Sequence, residues 1–171
     1  MPNWCEGTIK FRGSAEAIID AMCHGLQPCE GGSGVIAYCE EYSEADILDF
    51  SVTSNETYWL DGTHRHFVES TWRRHFDASR YRDEDGDFII VLPFRAAWCI
   101  LAESINKRGG LAEFAKRYHV DIRATGFEQG MGFKQTVEVN RRGEVVMDVE
   151  ENYGHDYARY MWECEMPLLG G

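Results

Sequence analysis

The stretch FIIVLPF, residues 88–94, decides the fold. Seven apolar residues without a polar break read as a central strand, which Pro93 is expected to end because proline has no amide to give a ladder. The residues C-terminal to it are strongly patterned. Trp98, Leu101, Ala102 and Ile105 recur at i, i+3, i+4 and i+7. Leu111, Phe114, Ala115 and Tyr118 repeat that spacing after Gly109-Gly110, which predicts one broken helix or two short ones packed on a sheet. On this reading Trp98, Leu101, Ile105, Phe114 and Tyr118 all face the sheet. Val120, Ile122 and Ala124 then alternate as a strand. Phe133 to Asn140 and Glu144 to Val149 alternate on either side of Asn140-Arg141-Arg142-Gly143 and predict a hairpin.

Upstream, Cys5, Gly7, Ile9 and Phe11 alternate with Glu6, Thr8, Lys10 and Arg12, so Trp4 to Arg12 reads as a half-buried strand. Ser14 suits a helix N-cap, Ile18, Ile19 and Met22 form one apolar face, and Gly25 suits the C-terminal end. Residues 27–87 are less regular. Gly31, Gly32, Ser33 and Gly34 mark a loop, while Val35 to Cys39 and Thr57 to Leu60 are strand-like. Val68, Trp72 and Phe76, at i, i+4 and i+8, predict a short amphipathic helix. Asp83 to Asp87 reads as a turn and lacks the register of a calcium loop, since Tyr81 would occupy its first ligand position. The order β-α-insert-β-α-β-β-β predicts an α+β fold, ferredoxin-like, with helices on one face of a largely antiparallel sheet and a C-terminal β-hairpin. All 171 residues are read as a single domain, with 27–87 an irregular insertion and 152–171 an aromatic, acidic tail.

Hydrophobic residues make up 44% of the chain and aromatics 13%, as in a folded protein. No run approaches the roughly 18–20 apolar residues of a membrane span. The opening MPNWCEGTIKF has no basic segment leading into an apolar one, so no signal peptide and a cytoplasmic location are expected. In that reducing setting the six cysteines are expected to be free thiols, and they form no C-x-x-C pair.

The net charge is −12, and its placement matters more than its size. From Gly13 to His64 there is no Lys or Arg, while that stretch carries ten acids, Glu40, Glu41, Glu44, Asp46 and Asp49 among them. The tail from Glu144 onward holds seven acids against Arg159 alone. Only Arg65 to Arg82 is locally basic, so direct nucleic-acid binding is disfavoured.

Three segments carry a family resemblance. The opening Met1-Pro2-Asn3-Trp4-Cys5 closely resembles that of YubB-like proteins, which are encoded on plasmids and phages, have no established function and contain a ferredoxin-like domain. Pro93-Phe94-Arg95-Ala96-Ala97-Trp98 is similar to the family's strand-to-helix segment with its Ala-Trp pair. Glu128-Gln129-Gly130-Met131-Gly132-Phe133 is similar to its Glu-x-Gly-x-x-Phe turn. The likeness spans residues 1–25 and 88–150. Gly7 stands where the family often has a polar residue, and Cys99-Ile100 replaces a common Pro-Pro. The resemblance implies a fold and a mobile-element setting, and no enzymatic activity.

The residues themselves offer little chemistry. Removal of Met1 would leave a proline amine at residue 2, a general base in some enzymes, but Pro2 more simply leads into a strand. Cys23, His24, Cys29 and Cys39, or His64, His66 and His75, lack the paired spacing of zinc sites, so no metal is expected. There is no nucleophile elbow, phosphate-binding loop or dinucleotide fingerprint, so no cofactor is expected either. The acidic surface carries the most functional content. Its simplest role is solubility, and its sharper role is to meet a basic partner, with carboxylates standing in for phosphates. Tyr153, Tyr157 and Tyr160 share helical spacing beside Trp162 and are candidate interface anchors. The expected function is therefore a non-enzymatic accessory protein of a phage or plasmid. It would bind a host protein with a basic surface, as an anti-defence inhibitor would. The alternative is a small hydrolase or nucleic-acid-modifying enzyme built on an unrecognised Cys/His/Asp set.

Overall fold

Strand β1 (Trp4–Gly13) is the centre of the molecule, because it pairs along its length with a strand on each side. The computed structural model describes residues 3–29, 36–38, 47–51, 56–70, 74–77, 83–105, 109–154, 156, 158–159 and 162. In chain order its elements are β1, α1 (Ala15–Cys23), β2 (Leu26–Pro28), β3 (Ile36–Tyr38), β4 (Ile47–Ser51), β5 (Glu56–Leu60), β6 (His66–Ser70) and β7 (Arg74–Asp77). There follow β8 (Phe88–Ala97), α2 (Leu111–Tyr118), β9 (Asp121–Glu128), β10 (Phe133–Val139) and β11 (Val145–Asn152). Eight strands form one antiparallel sheet in the order β11-β10-β9-β1-β8-β6-β5-β2, and β3-β4-β7 form a second. The class is α+β, as expected, with a sheet larger than a four-stranded ferredoxin core. The stretch 27–87 contributes β5 and β6 to the main sheet and supplies the small one. No helix among the described residues is long and apolar enough to cross a membrane.

The alternation read in β1 sets the layers. Cys5, Ile9 and Phe11 are fully buried with Ile90 and Phe94 of β8, Ile122 and Ala124 of β9, and Val137 and Val139 of β10. Onto this face pack Ile18 and Met22 of α1 and Leu111, Phe114 and Tyr118 of α2, with the Phe11 and Phe114 rings 5.9 Å apart. Ser14 caps α1 by accepting from the Ala17 amide. Gly25 is needed for space, since a Cβ there would lie 2.6 Å from the Phe114 ring. Gly7 is needed for the same reason: a Cβ would sit 2.0 Å from the Thr125 carbonyl oxygen.

Three expectations fail. Pro93 does not end the central strand, which runs on to Ala97. There β8 keeps β1 on one side, and among the described residues its register with β6 runs from Phe94 to Ala96, so a missing amide at 93 is tolerated. Val68 and Phe76 lie in strands β6 and β7 rather than in a helix; Trp72 lies outside the described residues. Residues four and eight apart share a face in a strand as well as in a helix, so that spacing could not separate the two.

The third failure is the helix over 98–105. Trp98 has φ +75° and is 55% exposed, and Ile105 is 52% exposed, so neither faces the sheet. The segment is held by side chains instead. Gln135 accepts from the Ile100 amide (2.8 Å) and donates to the Ile100 carbonyl (3.0 Å), and His66 Nε2 accepts from the Leu101 amide (3.0 Å). The carbonyls of Leu101 and Ala102 then accept from the Leu111 and Ala112 amides, which caps the start of α2. Phe114 and Tyr118 do face the sheet as expected.

Candidate functional site

α1 and α2 cover one face of the sheet and leave the even-numbered residues of β1 on the other. Antiparallel registers extend each of these into a row. Lys134, Phe127, Glu6, Arg95, Phe67 and Trp59 form one row across β10, β9, β1, β8, β6 and β5. Thr136, Thr125 and Thr8 form the next, and Glu138, Arg123 and Lys10 the one after. Neighbouring strands are ~4.8 Å apart, so the three threonines lie within ~10 Å. The hydroxyls of Thr125 and Thr136 are 3.4 Å apart.

Thr8, Thr125 and Thr136, with Lys10, Arg123 and Lys134, line a depression of about 370 Å³ that Phe127 completes. A second, of about 200 Å³, adjoins it and shares Lys10 and Arg123. Arg123 lies 3.5 Å from Glu138, and Lys134 lies 3.6 Å from Glu151. Both pairs are long, each with one exposed and one half-buried partner, and long pairs at a surface add little to stability. Lys10 is exposed and meets no carboxylate among the described residues. Comparison with protein families, curated proteins and solved structures found no match.

The sheet ends in a second surface of interest. Among the described residues β11 pairs with β10 alone, so its outer edge is open. Val146 and Val149 are 59% and 48% exposed there, and Asp148, Glu150 and Glu151 are exposed beside them. Asp148 accepts from the Gln135 amide nitrogen (2.9 Å). The opposite edge, β2, is three residues long.

Of the residues singled out from sequence, Glu40, Glu41, Glu44, Asp46, Tyr157 and Tyr160 lie outside the described residues. Asp49 is placed by its backbone in β4, opposite Tyr38 and His75. Tyr153 is buried against Phe127, with the Arg159 guanidinium 5.1 Å over its ring. Trp162 is 88% exposed.

Among the described residues the Cys and His side chains do not gather as a catalytic or metal-holding cluster. Cys5 is fully buried, and burial first, then the nearby Cys99, Glu128, Glu6 and Glu150, push its thiol up to about 12. Cys99 is raised by the same kind of burial and by Asp148 and Glu150. His66 is buried against Phe94, and desolvation, helped by His64, lowers it to about 3, so it is neutral. Its Nε2 accepts from Leu101, which places the proton on Nδ1, where it meets no acceptor among the described residues. A protonated thiol and a neutral core imidazole are poor nucleophile and base for a substrate arriving from solvent. Among the described residues no three His, Cys, Asp or Glu side chains gather as a metal-holding group.

Sequence reading marked Glu128 only as part of a turn resembling the family's, and missed what its carboxylate does. Glu128 is 2% exposed, and its carboxylate accepts from the amides of Gly130 (2.9 Å) and Met131, so it builds the β9–β10 turn. The threonine row was also missed. Its signal lay in the polar halves of three alternating strands, which registers alone bring together.

Proposed function

We propose that this chain is a non-enzymatic accessory protein of a phage or plasmid, of the YubB-like kind, that binds a basic segment of a host protein along β11. The carrying observation is the β11 edge, unpaired among the described residues and eight residues long, on which Val146, Asp148, Val149, Glu150 and Glu151 are exposed together. An open edge offers unpaired amides and carbonyls to an added strand, and the carboxylates select one rich in Lys or Arg. Carboxylates also guard an edge against aggregation, which makes a charged rather than an apolar partner strand the acceptable one. The strand order supports the fold part of this reading. β9-β1-β8-β6, with α1 and α2 on one face, follows the split β-α-β arrangement of ferredoxin-like domains, extended by β5 and β2 on one side and the β10–β11 hairpin on the other. Core placement of Cys5 and His66 favours binding over the hydrolase alternative.

The test is titration with an eight-residue peptide of alternating Lys and Val, followed by amide hydrogen exchange. Strand addition protects amides of β11, weakens with added salt, and weakens strongly in a Val146→Lys/Glu150→Lys variant that keeps its unfolding midpoint. Equal binding by that variant across salt concentrations would leave the carboxylates as a solvated edge and sink the proposal.

A further inference from the structure

We infer that the threonine-lined depression on the sheet face away from α1 and α2 is a binding site for a single phosphate group carried by a small phosphate ester. This does not rest on the β11 reading. Three features carry it. Three hydroxyls on adjacent strands lie in one row, Thr125 and Thr136 sharing a weak 3.4 Å bond that an oxyanion would replace, with Lys134 on one side of that row and Arg123 and Lys10 on the other. Residues two apart along a strand are separated by ~6.8 Å, so a tetrahedral oxyanion above Thr125 has hydroxyls beneath it and cations to both sides. Threonine hydroxyls donate to such an oxyanion, while an ammonium or guanidinium supplies the charge-assisted bonds that hold it. Third, the cations are available. Lys10 meets no carboxylate among the described residues, and the 3.5 Å and 3.6 Å pairs of Arg123 and Lys134 are loose enough to exchange for a dianion.

Charge decides between one phosphate and a chain of them. The protein carries −12, and Glu6, Glu138 and Glu151 flank the cations in the same rows. A nucleic-acid strand running across this face would meet those carboxylates within a nucleotide or two of the site. A lone phosphate stays inside the cationic patch. The volume of about 370 Å³ exceeds what phosphate alone needs and falls in the range of small-ligand sites, leaving room for the organic part of an ester.

The experiment is an NMR titration of the full chain with three probes: inorganic phosphate, adenosine 5′-monophosphate and a twelve-residue oligothymidylate. Inorganic phosphate is expected to give saturable amide shifts clustered at residues 8, 10, 123, 125, 134 and 136, with adenosine monophosphate binding there more tightly. Lys10→Gln, at an exposed position, should weaken both by roughly tenfold, and Thr125→Val, which keeps the shape and removes the donor, by roughly threefold or more. Lys116→Gln, on the exposed side of α2, should leave both unchanged. Should Thr125→Val shift the unfolding midpoint, Lys10→Gln alone decides. Wild-type affinity in Lys10→Gln, shifts scattered over the surface, or oligothymidylate binding tighter than that of adenosine monophosphate would each overturn the assignment.

Discussion

His66 makes the folded state sensitive to acid in a window where carboxylates are still ionised. Its imidazole is fully buried, stacked on Phe94 with ring centroids 5.8 Å apart, and accepts from the Leu101 amide through Nε2. Protonation would place a charge in the core and destroy that acceptor. Burial, with His64 adding to it, lowers the group from 6.5 to about 3. The unfolded chain therefore binds a proton at this residue below pH 6.5 while the folded chain does not until about pH 3, and stability falls with pH across that interval. The slope is about 1.4 kcal/mol per pH unit, so moving from pH 7.5 to pH 5 costs about 2 kcal/mol from this residue alone. Urea unfolding of the wild type and of His66→Gln at half-unit intervals isolates the effect as a difference. Glutamine retains an acceptor for the Leu101 amide but has nothing to titrate. The variant is less stable at pH 7.5, and the gap narrows by about 2 kcal/mol at pH 5. A gap that stays constant from pH 7.5 to pH 5 would refute the reasoning.

Gln135→Ala leaves the Ile100 amide and carbonyl buried without the partners that hold them, which costs about 2–4 kcal/mol in urea unfolding. A loss below about 0.5 kcal/mol would mean that the 98–105 strap is not anchored there. At the other end of the sheet, Asp121 accepts from the side chain and backbone of Arg141 and from Arg12, and Arg141 also pairs with Asp87 of the adjoining turn. Burial by itself would raise the Asp121 carboxyl, but the bonds from Arg141 and Arg12 outweigh it and hold it below 3.8. The network's contribution is thus complete above the unfolded value and disappears as pH falls through the lower, folded one. Asp121→Asn should reduce stability at pH 7 by about 1–2 kcal/mol and by progressively less below pH 4, read from thermal unfolding.

Much of the fold was legible because alternation is a local property. The alternation over Trp4–Arg12, over Val120–Ala124 and over Phe133–Asn140 with Glu144–Val149 found β1, the first half of β9 and the β10–β11 hairpin, and the cap and apolar stripe found α1. The misreading of 98–105 has a cause of its own. Trp98 to Ile105 satisfies a helical spacing, but its backbone is taken by Gln135 and His66, whose partnership with Ile100 and Leu101 spans 35 positions of sequence. Periodicity reports which side chains are apolar and says nothing about who satisfies the backbone, and at this segment the backbone partners decide.

The candidate phosphate site was harder still, for a geometric reason. Thr8, Thr125 and Thr136 belong to no motif, and each alone is the polar half of an ordinary strand. They meet because Thr8 is opposite Thr125 and Thr125 opposite Thr136 in two successive antiparallel registers. A slip of one residue in either would turn a threonine into the core and an apolar neighbour out onto the open face. What fixes the register is the buried side: Gly7 lies opposite Gly126, and a Cβ at residue 7 would be 2.0 Å from the Thr125 carbonyl oxygen. Close approach of these two backbones therefore fixes the hydroxyl row on the opposite face. The residues that decide the site's geometry are glycines that never touch it.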